Sequence, residues 1–260
     1  MPFLCKASNR LYYRIDGRSD RPLLVLGNSL GTDVFMWDRQ MDAFTAHFRV
    51  LRMDTRGHGA SDVIAGEARI DDLGRDVLDV VDALQVRHFY FCGVSLGAMV
   101  GQWLGIHAPD RVRRLVLSNA SAHLPSHESW SQRMELVRRH GMTALTEAVM
   151  PRFFSQRYRD RDEPFFHSMR TSFEATPAEG YAACCAAVRD ADFRPDVKKI
   201  SVPTLIIAGE FDAATPPDPH AKLLHESIPG ARLALLPTGH ISNVEHPEAF
   251  NRAVLEFLND

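Results

Sequence analysis

Residues 89–105 read FYFCGVSLGAMVGQWLG, and this stretch decides the fold. Phe89–Cys92 is a short apolar run typical of a buried strand, and the run after Ser95 predicts a helix. Between them, Gly93–Gly97 fits the pattern G-x-S-x-G, which in a strand-to-helix context forms a sharp turn that exposes its central serine. The N-terminus of the helix points at the same spot, where its N–H groups can stabilise an oxyanion. The stretch therefore predicts a nucleophilic Ser95; the alternative is a glycine-rich connection whose serine only caps the helix.

The same region also has the length of a membrane span. Phe89–Pro109 is 21 residues without Asp, Glu, Lys or Arg. It is nevertheless rich in glycine and interrupted by polar residues, namely Gly93, Gly97, Gly101, Gly105, Ser95, Gln102 and His107. We therefore expect a buried strand, turn and helix, and no membrane partner.

Composition excludes several classes of protein. Of the 260 residues, 45% are hydrophobic and 24% are charged, which is typical of a globular chain with a large core. The net charge of -3 leaves no basic excess for a phosphate backbone, so no nucleic-acid partner is expected. The four cysteines have no disulfide-framework spacing, and residues 1–10 hold no apolar run long enough for a signal peptide. We expect reduced thiols and a cytoplasmic location.

Short apolar runs bounded by turn residues recur along the chain. Runs of this kind suit strands buried on both faces of a parallel sheet. They are Leu23–Leu26, Phe48–Met53, His88–Cys92, Arg114–Leu117, Thr204–Ala208 and Arg232–Leu236. Amphipathic helical patterns lie between them, for example at 71–84 and 247–258. The alternation predicts an α/β fold with a mostly parallel central sheet flanked by helices.

The alternation stops in the second half of the chain. Between 122 and 195 the pattern is helical, with Trp130, Met134 and Val137 on one face, and strand patterning resumes near Val202. We predict one α/β core formed by residues 1–121 and 196–260, interrupted by a helical cap formed by residues 122–195.

A serine hydroxyl needs a base to become a good nucleophile. Where a sharp strand-to-helix turn of this kind, called a nucleophile elbow, carries the serine, the acid and then the histidine follow it in the chain. Asp212 comes just after the predicted strand at 204–208, and His240 just after the strand at 232–236. Both should therefore lie at the sheet edge where Ser95 lies, with His240 as the base and Asp212 as the group that orients it.

Three other residues compete for these roles. Asp54 also ends a predicted strand and is an alternative acid, although local pairing with Arg56 is the simpler expectation. Glu210 is a second alternative acid beside Asp212. His58 is flanked by glycines, but it precedes Ser95 and so stands in the wrong order.

Two backbone N–H groups are expected to form the oxyanion hole. Leu96 follows the nucleophile and supplies the first. The second should come from the loop after an earlier strand, and Ser29 is the candidate. The register of that loop leaves Asn28 and Leu30 open.

The chain resembles the α/β-hydrolase fold family over nearly its whole length. DTRGHGASD at 54–62 is similar to the D-x-R-G-x-G-x-S motif common in that family. Other strings resemble the 3-oxoadipate enol-lactonases: NSLGTD at 28–33, GVSLGAMVGQWL at 93–104, LSNASA at 117–122, DAATPP at 212–217 and HISNVE at 240–245. One departure is Gly27–Asn28, where many relatives carry His-Gly.

The resemblance implies a hydrolase that uses neither a cofactor nor a metal. It would act on a small anionic lactone, opening 3-oxoadipate enol-lactone to 3-oxoadipate in the β-ketoadipate pathway of aromatic-compound catabolism. Ser95 would form an acyl-enzyme, and water activated by His240 would release it.

The implied substrate carries a carboxylate, which an arginine fork neutralises well. Arg133 lies three residues after Trp130 and so shares its helix face. We expect Trp130 to line the pocket and Arg133 or Arg138 to bind the carboxylate. The alternative is that these arginines are solvated on an exposed helix.

Two other functions fit the same residues. One is another reaction on this scaffold, such as that of a carboxylesterase, a C–C bond hydrolase or a cofactor-free peroxidase. The other is a ligand receptor that keeps the triad without using it. Haloalkane dehalogenases and epoxide hydrolases are disfavoured, because their elbow carries Asp where this chain has Ser95. The sequence does not indicate an oligomeric state.

Overall fold

The computed structural model describes residues 3–6 and 9–260, and within these ranges eight strands form one sheet. The strands are β1 (Phe3–Cys5), β2 (Arg10–Asp16), β3 (Leu23–Gly27), β4 (Arg49–Met53), β5 (Phe89–Val94), β6 (Val112–Ser118), β7 (Thr204–Gly209) and β8 (Arg232–Leu236).

Helices connect the strands and form the insertion. They are α1 (Met41–Thr45), α2 (Ile70–Ala83), α3 (Leu96–His107), α4 (His127–His140), α5 (Thr143–Phe153), α6 (Gln156–Arg159), α7 (Pro164–Ala175), α8 (Ala178–Asp190), α9 (Lys222–Ser227), α10 (Ser242–Glu245) and α11 (Pro247–Asn259). Shorter helical turns lie at Val34–Gln40, Val197–Lys199 and Pro217–Ala221.

The strand order along the sheet is β1-β2-β4-β3-β5-β6-β7-β8. Neighbouring strands from β4 to β8 are all parallel, whereas β2 runs antiparallel to both β1 and β4. The predicted α/β fold with a mostly parallel sheet is therefore confirmed. Strands β1 and β2 were not predicted, because charged residues interrupt the apolar pattern of Arg10–Asp16.

Burial explains why the central strands are apolar. All six residues of β7 are buried, as are four of the five residues of β3. Helix α3 packs on β5 and β6, and α11 packs on β8 and α1. The core thus fills the space between the sheet and its helices, and burial of this apolar surface is the main favourable term in folding.

The uncharged segment lies at the centre of this core. Every residue from Phe91 to Gly105 is buried except Ser95, which is partly exposed. A Cβ atom on Gly97 would lie 2.1 Å from the carbonyl oxygen of Gly27, so only glycine permits α3 to approach β3 this closely. No helix within the described ranges is long and apolar enough to cross a membrane.

The insertion between β6 and β7 is a group of helices, α4 to α8. These helices contact loops that follow the carboxyl ends of the strands. Ile241, after β8, donates its N–H to the carbonyl of Phe153 at 3.0 Å, and the side chain of His58, after β4, packs against Tyr181 with ring centroids 6.4 Å apart. The helical cap therefore lies over the carboxyl edge of the sheet. Its limits at 122 and 195 stay a prediction.

The contact between Gly97 and Gly27 leads to a stability prediction. Gly97→Ala should lower the free energy of unfolding by more than about 3 kcal/mol, because the added methyl group meets backbone atoms that cannot move aside. Urea denaturation measures the change.

Gly66→Ala is the matched control, since nothing lies within 4 Å of the added Cβ there. That variant should lose only about 1 kcal/mol, the cost of its positive φ of 87°. Equal losses in the two variants would show that the close approach at Gly97 is not what matters.

Candidate active site

Ser95 occupies a strained turn between β5 and α3. Its φ of 57° and ψ of -115° lie outside the regions that residues other than glycine usually adopt. Hydrogen bonds hold the turn: the Ser95 N–H donates to the carbonyl of Ser118 at 2.9 Å, and the Met99 N–H donates to the carbonyl of Ser95 at 3.0 Å. Such strain persists only when the surroundings enforce it, and it presents the hydroxyl at the carboxyl edge of the sheet.

His240 and Asp212 meet at the same edge. They follow β8 and β7, which are neighbours in the sheet, and His240 Nδ1 lies 2.8 Å from Asp212 Oδ2. Both residues are buried. Because an ionised carboxylate only accepts, the imidazole carries its proton on Nδ1 and leaves Nε2 free to accept one.

The surroundings of Asp212 keep its carboxylate ionised. Its oxygens accept hydrogen bonds from the N–H groups of Ala214 and Thr215, from the Thr215 hydroxyl and from the Asn119 amide, at 2.8–3.0 Å. Burial alone would raise the pKa of Asp212, but the charge of His240 and the bonds from His240 and Thr215 hold it well below its usual value. A permanent negative charge beside His240 is what stabilises an imidazolium.

Asn119 is a member of this group that the sequence analysis missed. Its amide donates to Asp212 Oδ2 at 3.0 Å, while its Oδ1 accepts from the hydroxyls of Ser118 and Ser242 at 2.7 and 2.8 Å. Asn119 directly follows β6, between the strands that present Ser95 and Asp212. The rule that located Asp212, a polar residue just after a strand, also points to Asn119.

The oxyanion loop offers two candidates for the second N–H donor. The Ser29 N–H, the predicted second donor, is engaged by Met36 Sδ at 3.4 Å. The Leu30 N–H, one of the two alternatives, has no acceptor within residues 3–6 and 9–260. Leu96 is the first residue of α3, so its N–H has no acceptor inside the helix. Ser29 and Leu30 both line the cavity that holds Ser95, so the choice between their N–H groups as the second donor stays a prediction.

One cavity between the core and the cap joins these groups. Its core side includes Ser95, His240 and Thr215 together with Ser29 and Leu30. About 460 Å³ of space, part of it open solvent, lies free of protein atoms among these residues.

The cap side of the cavity is aromatic and cationic. Trp130 and Arg133 both line it, and the guanidinium of Arg133 lies 5.2 Å from the Trp130 ring and 5.7 Å from the Tyr181 ring. Arg152 also lines the cavity and is exposed at its mouth, a position the sequence analysis missed. Partial burial and the charge of Arg133 lower the pKa of Arg152, as expected for two neighbouring cations.

A family model described as the alpha/beta hydrolase fold matches residues 22–247. The chain belongs to the α/β-hydrolase fold family.

Sequence relatives narrow the assignment within the α/β hydrolases. The chain is 40% identical over 244 residues to 3-oxoadipate enol-lactonase 2 of Acinetobacter baylyi, covering 94% of this chain and 91% of that protein. It is 37% identical over 240 residues to 3-oxoadipate enol-lactonase 1 of the same organism, covering 92% and 90%.

A solved structure agrees with these relatives. The enol-lactonase from Burkholderia xenovorans LB400 superposes with a TM-score of 0.97 at 41% identity, over the full length of both chains. The resemblance to the 3-oxoadipate enol-lactonases is confirmed, and with it the prediction of an ester hydrolase.

The alternative acids of this α/β hydrolase do not contact His240. Asp54 is buried and accepts the N–H groups of Val34 and Ala60 at 2.8 and 2.9 Å, and burial raises its pKa to about 6. The expected pairing of Asp54 with Arg56 is wrong, because Arg56 Nε donates to the buried Asp76 at 2.7 Å. Glu210 is exposed and has no contact with His240.

Arg138 does not line the cavity of the α/β hydrolase. Its guanidinium faces outward from α4, where Nε lies 3.1 Å from the Glu179 carboxylate. Arg138 is five residues after Arg133, so it lies on a different face of the helix. The structure corrects this expectation: the second cavity arginine is Arg152.

The described parts of the hydrolase hold no cluster of metal-ligating side chains. Within residues 3–6 and 9–260, no group of three or more His, Cys, Asp or Glu side chains is placed to share a metal ion. Cys92, Cys184 and Cys185 are buried and unpaired, and burial raises the pKa of each thiol above its ordinary value.

His58 of the hydrolase is a buried neutral imidazole. Its Nδ1 donates to the Arg56 carbonyl at 3.2 Å, and its Nε2 accepts the Gly31 N–H at 3.0 Å, next to Leu30. Burial lowers the pKa of His58 to about 4. His58 thus braces the oxyanion loop only while it is unprotonated.

The depressed pKa predicts a loss of stability in acid. The unfolded chain, with an ordinary pKa near 6.5, binds the His58 proton more tightly than the folded chain does. The stabilisation is therefore fully present above about pH 6.5 and is lost as the pH falls to about 4, by up to about 3 kcal/mol. His58→Gln keeps an acceptor but cannot titrate, so its free energy of unfolding should fall less over this range.

Urea denaturation at several pH values between 7 and 4 measures the difference. Asp54 titrates in both proteins, so its contribution to the free energy of unfolding cancels when their pH profiles are compared. The same substitution at the exposed His88 serves as the control. A His58→Gln profile parallel to that of the parent would contradict the prediction.

Proposed function

We propose that the chain is a 3-oxoadipate enol-lactonase that opens its substrate through Ser95, His240 and Asp212. The observation that carries this proposal is the cavity, in which Ser95 and His240 share one space with the guanidinium groups of Arg133 and Arg152. Such a cavity suits a small ester that also bears a carboxylate. The names of the sequence relatives and of the solved structure agree with it.

Acylation begins at Ser95. His240 Nε2 takes the hydroxyl proton as the oxygen attacks the lactone carbonyl, and Asp212 stabilises the resulting imidazolium through Nδ1. The negative charge on the carbonyl oxygen rests on the N–H groups of Leu96 and Leu30. Leu30 replaces Ser29 in this proposal because the Ser29 N–H is already engaged by Met36.

The leaving group makes the ring opening easy. It is an enolate, which is more stable than an alkoxide, so it departs readily and then takes the proton from the His240 imidazolium to give the enol. The enol remains attached to the acyl group, and its conversion to the ketone prevents the ring from closing again. Water activated by His240 then hydrolyses the acyl-enzyme and releases 3-oxoadipate.

Arginine side chains of the cap bind the substrate carboxylate in this proposal. Arg133 lines the cavity and forms no ion pair with Asp or Glu in the described ranges, so its guanidinium charge is available to an anionic ligand. Arg133 and Arg152 together place positive charge in a cavity that is partly shielded from water, where its attraction to an anion is strengthened. Trp130 fixes Arg133 by a cation–π contact and forms part of the apolar wall.

The nucleophile can be tested directly. A serine-directed phosphonate should add its mass to the parent at Ser95 and not to Ser95→Ala, and the variant should lose at least about 10⁴-fold in kcat. Intact-mass spectrometry and peptide mapping locate the adduct. A parent without an adduct at Ser95 contradicts the catalytic assignment.

Substrate class is decided by comparing the enol-lactone with neutral aryl esters. The lactone should have the higher kcat/KM. Fast turnover of aryl esters with no turnover of the lactone would instead support a general carboxylesterase.

Substitution of either cavity arginine should raise KM for the lactone without lowering kcat. Arg133→Ala and Arg152→Ala should each raise KM for the lactone by about tenfold or more and leave kcat nearly unchanged, because the carboxylate contact is the same in the ground and transition states. KM for a neutral aryl ester should not change. Arg138→Ala is the matched control, since Arg138 pairs with Glu179 outside the cavity. Equal effects on both substrates would exclude charge pairing.

A further inference from the structure

Glu245 lies at the end of α10 and binds two segments that are far apart in the chain. Its Oε2 accepts the N–H of Gly239 at 3.0 Å and the N–H of Ser155 at 3.0 Å, and its Oε1 accepts the Ser155 hydroxyl. The residue is only 9% exposed. No Lys, Arg or His in the described ranges forms an ion pair with it, so neutral donors alone satisfy this buried charge.

Each bound segment carries part of the proposed active site. Gly239 directly precedes His240. Ser155 follows Phe153, whose ring lines the cavity and stacks on the His240 imidazole at a centroid distance of 5.8 Å and an interplanar angle of 29°. Glu245 therefore joins the loop of the catalytic base to the cap wall beside it.

The two segments touch along their backbones. A Cβ atom on Gly239 would lie 2.7 Å from the Ser155 nitrogen and 3.0 Å from the Phe153 carbonyl oxygen. The Ile241 N–H donates to that same carbonyl at 3.0 Å. The Glu245 carboxylate holds Gly239, the residue before His240, and the Phe153 carbonyl holds Ile241, the residue after it. The loop that carries the imidazole is therefore fixed on both sides of His240.

We call the contact between residues 153–155 and 239–241 the seam. Loss of the Glu245 carboxylate would leave two N–H donors of this seam without an acceptor. Within the described residues, the N–H groups of Gly239 and Ser155 have no acceptor other than Glu245. Buried donors without partners are costly, so the two backbones would move apart to reach water. That movement would carry His240 away from Ser95 and open the wall formed by Phe153.

We infer that Glu245 is a positioning residue for His240, which sets the imidazole by binding Gly239 and the cap residue Ser155 at once. The inference rests on the proposed Ser95–His240–Asp212 chemistry. It assigns the cap a second task besides substrate binding, because the cap backbone supports the base.

The test uses the full-length enzyme and four variants. Glu245→Gln keeps the size of the side chain but turns one acceptor into a donor that faces other donors. Ser155→Ala removes the hydroxyl that donates to Glu245 and that accepts the Tyr158 N–H at the start of α6, and Ser155→Thr retains a hydroxyl for both contacts. Glu248→Gln is the matched control, an exposed glutamate on α11 whose side chain is 83% exposed.

Phosphonate titration of Ser95 counts the competent sites, so kcat is expressed per folded enzyme. Glu245→Gln should lower kcat per site by about 10- to 100-fold on a neutral aryl ester and on the lactone, with KM for the ester within about twofold of the parent. Ser155→Ala should lower kcat less, and Ser155→Thr should restore it. Hydrogen–deuterium exchange of peptides covering 153–155 and 239–241 should rise together in Glu245→Gln.

A value of kcat per site within about twofold of the parent in Glu245→Gln would overturn the inference, as would faster exchange in only one segment. If Glu245→Gln does not fold, Ser155→Ala decides, and parental kcat and exchange in that variant would also overturn it. These failures differ from failure of the proposed function, in which the parent itself forms no adduct at Ser95.

Discussion

The approach of Gly97 to Gly27 is the contact on which the rest of the site depends. It brings the first turn of α3 against the end of β3, and the Gly97 N–H then donates to the Asn28 carbonyl at 2.9 Å. One contact thereby fixes the strained turn at Ser95 and the start of the oxyanion loop relative to each other. A side chain at either position would separate Ser95, the proposed nucleophile, from the N–H groups proposed to receive the developing charge.

The parallel sheet supplies the other groups by a common rule. Each crossover returns the chain so that every strand ends at the same edge, and the loops after β5, β6, β7 and β8 bring Ser95, Asn119, Asp212 and His240 together. The cap closes this edge from above. Buried hydrogen bonds then replace water around the triad, so the preorganised charges act in a medium of low dielectric constant.

Chain order and strand ends are local signals, which is why the placement of Ser95, Asp212 and His240 at one edge of the sheet could be predicted from the sequence. The cap arginines show where such signals stop. Arg133, Arg138 and Arg152 all lie on polar helices, and which of them faces the cavity depends on how the helices pack against the core. The oxyanion loop is similar, since the Ser29 N–H contacts the Met36 sulfur, and this contact depends on the path of the loop. Strands β1 and β2 were not predicted because they form the antiparallel end of the sheet. Most of their residues are only partly buried there, so the strands do not need an unbroken apolar run.

The seam between the cap and the His240 loop restricts which substitutions this protein can accept without losing activity. Because the seam is made of backbone groups, Gly239, the Ser155 hydroxyl and one buried carboxylate, few of its side chains could be exchanged for others of similar size. The walls contributed by Trp130, Val149 and Arg152 have no such restriction. New acyl groups would therefore be accommodated by altering those walls, while the last turn of α5 and the residues after it remain as an anchor. A graft of a foreign cap onto this core would need to reproduce that anchor before its pocket could be of any use.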